Sequence, residues 1–202
     1  MMKTKIASLV SMTALAVALS APAMATTFTF TAAEAGVVGP NDLGSAFATF
    51  TEGAFSITAT DGGSPAPGNL WYKNDGSGET GLGVTNDTNH EIGGSQFVIL
   101  GMALAGGLPY NVVIDSLQLS ESGSIYACAD SGCASRSLLG TLTGGATEQT
   151  FTVSGATPFI EVMSVTGNVL IESVSTVPEP ATLSLLGLGL AGMGFARRKR
   201  KA

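Results

Sequence analysis

Three oxygen-bearing side chains, Asp87, Asn89 and Glu91, stand at alternate positions in one polar segment. Calcium takes about six to eight oxygen ligands, so such a run is one way to begin a calcium site. The run departs from the EF-hand pattern because Ile92 stands where that loop needs glycine. Solvated Asx turns have the same composition. We therefore expect no cofactor, with calcium at these three residues as the alternative.

An adjacent aromatic pair, Trp71 and Tyr72, offers a second kind of chemistry. Aromatic rings stack on the apolar faces of pyranose sugars, and Tyr110 and Tyr126 could act in the same way. The only tryptophan of a β domain is also a common core residue. Sugar stacking and core packing both remain open for this pair.

Catalysis has little support in the chain. His90 is the only histidine and lies in the same polar turn, without a Gly-x-Ser-x-Gly or His-Glu-x-x-His motif. Paired carboxylates could hydrolyse glycosides, but any acidic surface would offer as many. We predict that the protein is not an enzyme, and a secreted polysaccharide hydrolase ranks third among the functions considered.

The elements that must position these residues read as strands. Polar and apolar residues alternate with period two, and Gly, Asn, Asp and Ser clusters interrupt them about every ten residues. The predicted strands are 27–31, 47–50, 55–60, 96–102, 112–120, 124–128, 137–142, 149–153, 159–163 and 169–174. A Gly- and Pro-rich surface loop is expected at 61–69. This pattern predicts an all-β ectodomain over 26–176, a β-sandwich or jelly roll.

The charge of the chain is unevenly distributed. The whole chain has a formal charge of −6, whereas residues 26–177 hold 14 acidic side chains and only two basic ones, Lys73 and Arg136. The body is therefore strongly acidic. Nothing in it would neutralise phosphates, so nucleic acid is excluded as a partner. Divalent cations, or solubility within a polysaccharide matrix, fit the charge better.

The N-terminus has the order of parts found in a secretory signal peptide. Lys3 and Lys5 precede an uncharged segment, and Ala23 and Ala25 form a small-x-small cleavage site. We predict that signal peptidase removes residues 1–25.

The C-terminus reads as a membrane anchor. Val177, Pro178, Glu179 and Pro180 form an extended hinge before an uncharged stretch, 181–196, that we predict to be a short transmembrane helix. Five basic residues follow: Arg197, Arg198, Lys199, Arg200 and Lys201. Positive charge stays cytoplasmic, so 197–202 would lie inside and the body outside.

These three parts in this order resemble the PEP-CTERM sorting signal of Gram-negative envelope proteins, a tail also labelled as an ice-binding protein C-terminal domain. The resemblance implies cleavage by an exosortase near Pro178-Glu179-Pro180 and association with exopolysaccharide. Gly81-Leu82-Gly83-Val84, followed by Glu91-Ile92 and the segment 96–100, also resembles a stretch of exported PEP-CTERM β-sandwich proteins.

Cys128 and Cys133 are the only cysteines, and four residues separate them. An even count in an exported chain predicts a disulfide, here closing a small hairpin loop. A redox or metal pair is the alternative, although the spacing is not Cys-x-x-Cys.

Together these features predict a protein that is held briefly in the inner membrane and then released to the cell surface or the extracellular matrix, as in a biofilm. We expect a structural or adhesive role in association with exopolysaccharide. A carbohydrate- or calcium-binding module is the alternative.

Overall fold

A computed structural model describes residues 25–30, 42–52, 55–64, 68–74, 79–85, 89–104, 107–115, 119–145 and 148–177. The predicted signal peptide up to Met24, the tail from Pro178 onward and Asp87 lie outside these ranges. Within them, no helix is long and apolar enough to cross a membrane. Thr26–Val177 forms one compact unit.

The described residues form antiparallel β-strands. Their bounds are β1 Thr27–Thr29, β2 Phe47–Glu52, β3 Phe55–Ser64, β4 Leu70–Asn74, β5 Thr80–Val84, β6 Ile92–Gly93, β7 Ser95–Leu104, β8 Tyr110–Asp115, β9 Ser122–Cys128, β10 Arg136–Thr143, β11 Glu148–Val153, β12 Phe159–Thr166 and β13 Asn168–Thr176.

The strands pair into two sheets. Sheet A has the order β11-β8-β13-β5-β4, with β1 and β6 also pairing with β13, and sheet B has the order β10-β9-β12-β7-β3-β2. From β7 onward, every connection except the β9–β10 hairpin passes from one sheet to the other. The predicted all-β sandwich is thus confirmed.

One core lies between the inner faces of the two sheets. In sheet A, Tyr72, Leu82, Ile171 and Ile114 are successive cross-strand partners, and all four are fully buried. Sheet B contributes a matching apolar face, and the rings of Phe28, Phe30 and Phe50 pack edge to face or tilted against one another. Because side chains alternate along a strand, their neighbours point outward and are available for function.

The prediction of a surface loop over 61–69 is wrong for residues 61–64. Strand β3 continues to Ser64, where Asp61–Ser64 pairs with Ser95–Val98 of β7. The reason is steric, because Gly62 lies beneath the ring of Phe97, and Gly63 has a φ of 110° and approaches the β7 backbone. Here the glycines serve close packing within a strand and do not mark a turn.

Two other boundaries also differ from expectation. The sequence indicated no strand at β4 or β5, yet both belong to sheet A. The strand expected over 112–120 ends at Asp115, and Leu119 and Ser120 lie in a turn.

Candidate functional site

The outer face of sheet B carries a continuous row of side chains. Successive cross-strand partners in this row are Leu138, Tyr126, Glu161, Ile99, Thr60 and Phe47, one from each of the six strands. A neighbouring row places Cys128, Phe159 and Gly101 side by side. The register therefore collects aromatic and polar groups from distant parts of the chain on one surface.

Two phenylalanine rings on this face lie across glycines. Phe97 is opposite Gly62, and Phe159 is opposite Gly101. A Cβ atom at Gly62 would overlap the Phe97 ring, and one at Gly101 would approach to 3.0 Å from Cε1 of Phe159. Both rings are half-buried, so each keeps surface open to solvent.

A charged pair completes the arrangement. The Arg136 guanidinium lies 4.4 Å from the centre of the Tyr126 ring and donates a hydrogen bond to Oε1 of Glu161. Burial raises the pKa of Glu161 above its usual range, while Arg136 acts in the opposite direction. We call Phe97, Tyr126, Arg136, Phe159 and Glu161 the platform.

A disulfide packs against the aromatic rings of the platform. Cys128 and Cys133 are bonded, which confirms the predicted bridge, and they pack with Ile99 against Phe97, Tyr126 and Phe159. A Glu161 oxygen lies within 4.8 Å of both sulfurs. Because the disulfide leaves no thiolate, these two cysteines cannot act as metal ligands in this state.

An open groove of about 590 Å³ runs beside the disulfide. Its walls come from Ala127–Ala129, Ser135–Ser137 and Ala156–Pro158, so Arg136 belongs to both the groove and the platform. A ligand on the platform could extend into this groove. The combination of half-buried aromatic rings with the partly exposed Arg136 guanidinium suits a ring that has apolar faces and hydroxyl edges.

The predicted aromatic pair divides between the two faces of sheet A. Tyr72 is fully buried, and its ring packs 6.0 Å from that of Phe50. It therefore exposes no ring face, and the sugar-stacking prediction is wrong for this residue. Trp71 points outward, is partly exposed, and stacks on His90 at 4.0 Å with an angle of 15° between the rings. Sugar stacking by Trp71 stays a prediction.

Two of the three predicted calcium ligands, Asn89 and Glu91, lie among the described residues. Glu91 is 2% exposed and forms an ion pair with Lys73, which also binds Glu79 at 2.5 Å, whereas Asn89 is exposed. The Lys73 ammonium neutralises Glu91, and calcium binding at Asp87, Asn89 and Glu91 stays a prediction. Asp87 lies outside the described residues.

Sequence reasoning missed most of the platform. Tyr126 was considered for sugar stacking, but Phe97, Phe159, Arg136 and Glu161 were not. Period-two alternation could have placed each of them outward on its own strand. Only the pairing register, which the sequence does not display, shows that they share one surface.

Comparison with known protein families finds the PEP-CTERM protein-sorting motif at residues 176–201. The predicted resemblance of the tail is thus confirmed, and the motif implies an exported, surface-directed protein processed by an exosortase. No curated protein matches the chain.

Three solved structures show a low level of similarity to this chain. The C-terminal CBM6 of LamC, a marine laminarinase from Zobellia galactanivorans, is 16% identical, with 54% of this chain and 88% of that chain covered and a TM-score of 0.33. The K1 and K3 cleaved adhesin domains of Lys-gingipain from Porphyromonas gingivalis W83 are 9% and 11% identical, with TM-scores of 0.31 and 0.30. Each covers 77% of this chain, which in turn spans 96% and 92% of the two domains. Scores of this size carry no argument about fold or ligand.

Proposed function

We propose that this protein is a structural or adhesive component of the cell surface or extracellular matrix and that it binds exopolysaccharide through the platform. The observation that supports this most is the pair of phenylalanine rings laid across Gly62 and Gly101, beside the Arg136–Tyr126 stack. In this role the protein binds its polymer without turning it over, and it needs no cofactor for doing so.

The surface chemistry of the platform is complementary to that of a sugar ring. A pyranose presents C–H groups on its faces and hydroxyls around its edge, so a ring face and a charged edge must both be supplied. Phe97, Phe159 and Tyr126 supply the apolar surface. Arg136 supplies hydrogen-bond donors that strengthen as water is displaced, and the buried Glu161 carboxylate holds the guanidinium in place. Because the rings rest on a disulfide and on backbone, little conformational entropy is lost on binding.

The route to the surface follows from the two ends of the chain. We propose that signal peptidase removes residues 1–25, that 181–196 holds the protein briefly in the inner membrane, and that exosortase cleavage releases it. Strand β13 ends at Thr176, and the N–H of Val177 donates to the carbonyl of Pro109 at 2.8 Å. Cleavage beyond Val177 would therefore remove none of the described strands.

The test measures retardation of the purified full chain by exopolysaccharide from its own source in affinity electrophoresis. Tyr126→Ala removes one ring and the support of Arg136, and we expect it to weaken binding at least tenfold. Tyr126→Phe keeps the ring and should bind within twofold of the native protein. Leu119→Ala is the control, because Leu119 is 91% exposed and lies outside the platform.

Two outcomes would overturn the proposal. One is equal retardation of the native protein and of Tyr126→Ala. The other is loss of binding in Trp71→Ala with Tyr126→Ala unaffected, which would place the sugar on sheet A. Release of new reducing ends from the polymer would instead support the hydrolase and end the claim of binding without turnover.

A further inference from the structure

The outer face of strand β4 carries a lysine that is enclosed by two carboxylates. Lys73 is 8% exposed, and its ammonium donates to Oε2 of Glu79 at 2.5 Å and to Oε1 of Glu91. The side chains of Glu79 and Glu91 are 13% and 3% exposed. We call Lys73, Glu79 and Glu91 the lysine site. Strand β4 belongs to sheet A, whereas the platform lies on sheet B.

The packing around β5 explains why these three side chains meet. Lys73 is the cross-strand partner of Gly81, and Glu79 immediately precedes β5. Beside them, a Cβ atom at Gly83 would lie 2.8 Å from Cα of Glu91, so the segment before β6 rests directly on β5. Three separate pieces of the chain thus hold one amine and two carboxyl groups in contact.

An ion pair is costly in this position. Removing an ammonium and a carboxylate from water has a desolvation penalty, which their mutual attraction repays only in part. The lysine site also holds two negative charges against one positive charge. An amide between Lys73 and Glu91 would remove one charge of each sign from the buried part of the site. It would leave Glu79, the most exposed of the three side chains, to accept a hydrogen bond from the amide N–H.

We propose that Nζ of Lys73 forms an amide bond with the Glu91 carboxyl. In this step a bond forms between Nζ and Cδ of Glu91, and one C–O bond of that carboxyl breaks. Two hydrogens of the ammonium leave with the oxygen as water, and the third stays on the amide nitrogen. Glu79 accepts a proton from Nζ and passes it to the departing oxygen, so that it begins and ends as a carboxylate.

The enclosure of the site supplies what this condensation needs. Groups that a fold holds in contact react as if their concentration were about 10⁵–10⁸ M. An ammonium has no lone pair with which to attack, so a base must first remove a proton, and Glu79 is in hydrogen-bonding contact with Nζ. Glu91 is the acceptor because it is the more deeply buried acid, and exclusion of water there protects the amide from hydrolysis.

The amide would fasten the edge of sheet A. Strand β4 ends the order of this sheet, and β5 is its one strand neighbour among the described strands. A covalent bond between positions 73 and 91 ties β4 to the segment that lies on β5, and it restricts the unfolded chain as a disulfide does. Glu91 would then no longer be available as a calcium ligand.

The test measures the intact mass of the purified full chain by mass spectrometry after reduction, so that the disulfide does not affect the mass. We expect most molecules to be lighter than their sequence by one water. Lys73 and Arg136 are the only basic residues in 26–177, so trypsin gives a second readout. The amide blocks cleavage after Lys73, and the peptide that contains Lys73 should extend uncut to Arg136. Fragmentation of that peptide should place the bond at Glu91.

Two variants separate the amide from the ion pair. Lys73→Arg keeps a positive charge but cannot form the amide, so it should have its full mass and unfold about 5–10 °C below the native protein. Glu79→Gln keeps the size of the side chain and removes the proton carrier, so the fraction with the bond should fall at least tenfold. Asp130→Asn is the matched control, because Asp130 is an exposed acid in the disulfide loop, and it should lose water as the native protein does.

The proposal is overturned if the native protein has its full mass and trypsin cuts after Lys73. A loss of water that persists in Lys73→Arg would also overturn it, because the loss would then come from another site, such as cyclisation at Asp75-Gly76. A bond from Lys73 to Glu79 would refute Glu91 as the acceptor. Tyr126→Ala should lose water normally, so the outcome at the platform and the outcome here are independent.

Discussion

At the scale of single residues, Asp61 shows what a buried acid does to stability. It is 4% exposed in β3, its Oδ2 accepts from the N–H of Gly68 at 2.6 Å, and its Oδ1 has no partner. Burial raises the pKa of Asp61 from 3.8 to about 6, although the backbone hydrogen bonds from Gly68 and Gly62 oppose that rise. The folded protein therefore holds this proton more tightly than the unfolded chain does.

This pKa predicts the sign of a pH effect. The contribution of Asp61 to the free energy of unfolding is largest below pH 4 and decreases as the pH rises through about 6, by at most about 3 kcal/mol. Asp61→Asn should flatten urea-unfolding stability between pH 4 and pH 7 relative to the native protein. Leu119→Ala, which changes no titratable group, should keep the native slope, and an equal slope in both variants would contradict the prediction.

Residue identity alone predicted part of this chemistry. The strand pattern could have separated Trp71 from Tyr72, because adjacent strand residues point to opposite faces. It could not have shown that Glu91 meets Lys73, since that contact depends on how the segment after β5 folds back over the sheet. Oxygen spacing in a sequence does not reveal which partners a carboxylate already has.

At the scale of elements, the packing around strand β5 accounts for the two glycines of the Gly81-Leu82-Gly83-Val84 motif. A Cβ at Gly83 would overlap the carbonyl oxygen of His90 and lie 2.8 Å from Cα of Glu91. The neighbouring Gly81 lies against the backbone of Ile171 in the same way. Glycine is therefore needed at 81 and 83 because neighbouring backbone leaves no room there for a Cβ atom. Leu82 and Val84, which alternate with these glycines, are buried in the core.

Gly83→Ala should displace the segment that holds His90 and Glu91. Because the clash is with backbone, we expect a loss of about 1–3 kcal/mol in the free energy of unfolding. Trp71 is the only tryptophan and stacks on His90, so its fluorescence should report the displacement. Gly132→Ala is the control, because a Cβ there meets only Asp130 at 3.4 Å. Native stability and native fluorescence in Gly83→Ala would contradict this packing.

The disulfide should stabilise the β9–β10 hairpin to a limited degree. Cys128 and Cys133 are only five positions apart. Closing so short a loop lowers the conformational entropy of the unfolded chain, which raises the free energy of unfolding by about 2 kcal/mol. Replacing both cysteines by serine should lower the urea midpoint accordingly and weaken polysaccharide binding, because Phe159 loses its support. The native protein in reductant should behave like the double variant, and an unchanged midpoint in both would contradict a stabilising role.

Element types were easier to predict than their partners. Alternation located most strands, yet β4 and β5 escaped notice because their glycines and their single Lys and Trp break the usual pattern. Gly62 and Gly63 were interpreted as part of a loop because glycine is common in turns. Pairing across distant strands decides which glycine is a breaker and which makes room for a neighbour, and that information is spread over the whole chain.

At the scale of the whole molecule, the proposed processing would change the net charge and would leave the described strands in place. The intact chain has a formal charge of −6, loss of the signal peptide alone leaves −8, and the body over 26–177 has −12. The two ends together therefore offset half of the negative charge of the body, and the C-terminal tail alone offsets a third of it. A body released in this form would attract divalent cations through its net charge, and the same charge would oppose aggregation in a polymer matrix.

The mature protein should consequently focus well below the isoelectric point of about 4.6 calculated for the intact chain. Mass spectrometry of protein taken from the cell surface should find the N-terminus at Thr26 and a C-terminus close to Pro178-Glu179-Pro180. Protein from cells lacking the exosortase should keep the basic residues and focus at a higher pH. An intact Lys201-Ala202 end on the surface protein would contradict release and indicate a permanent anchor. In that case the five basic charges would stay at the cytoplasmic face, and the platform would act at the membrane instead of in the surrounding matrix.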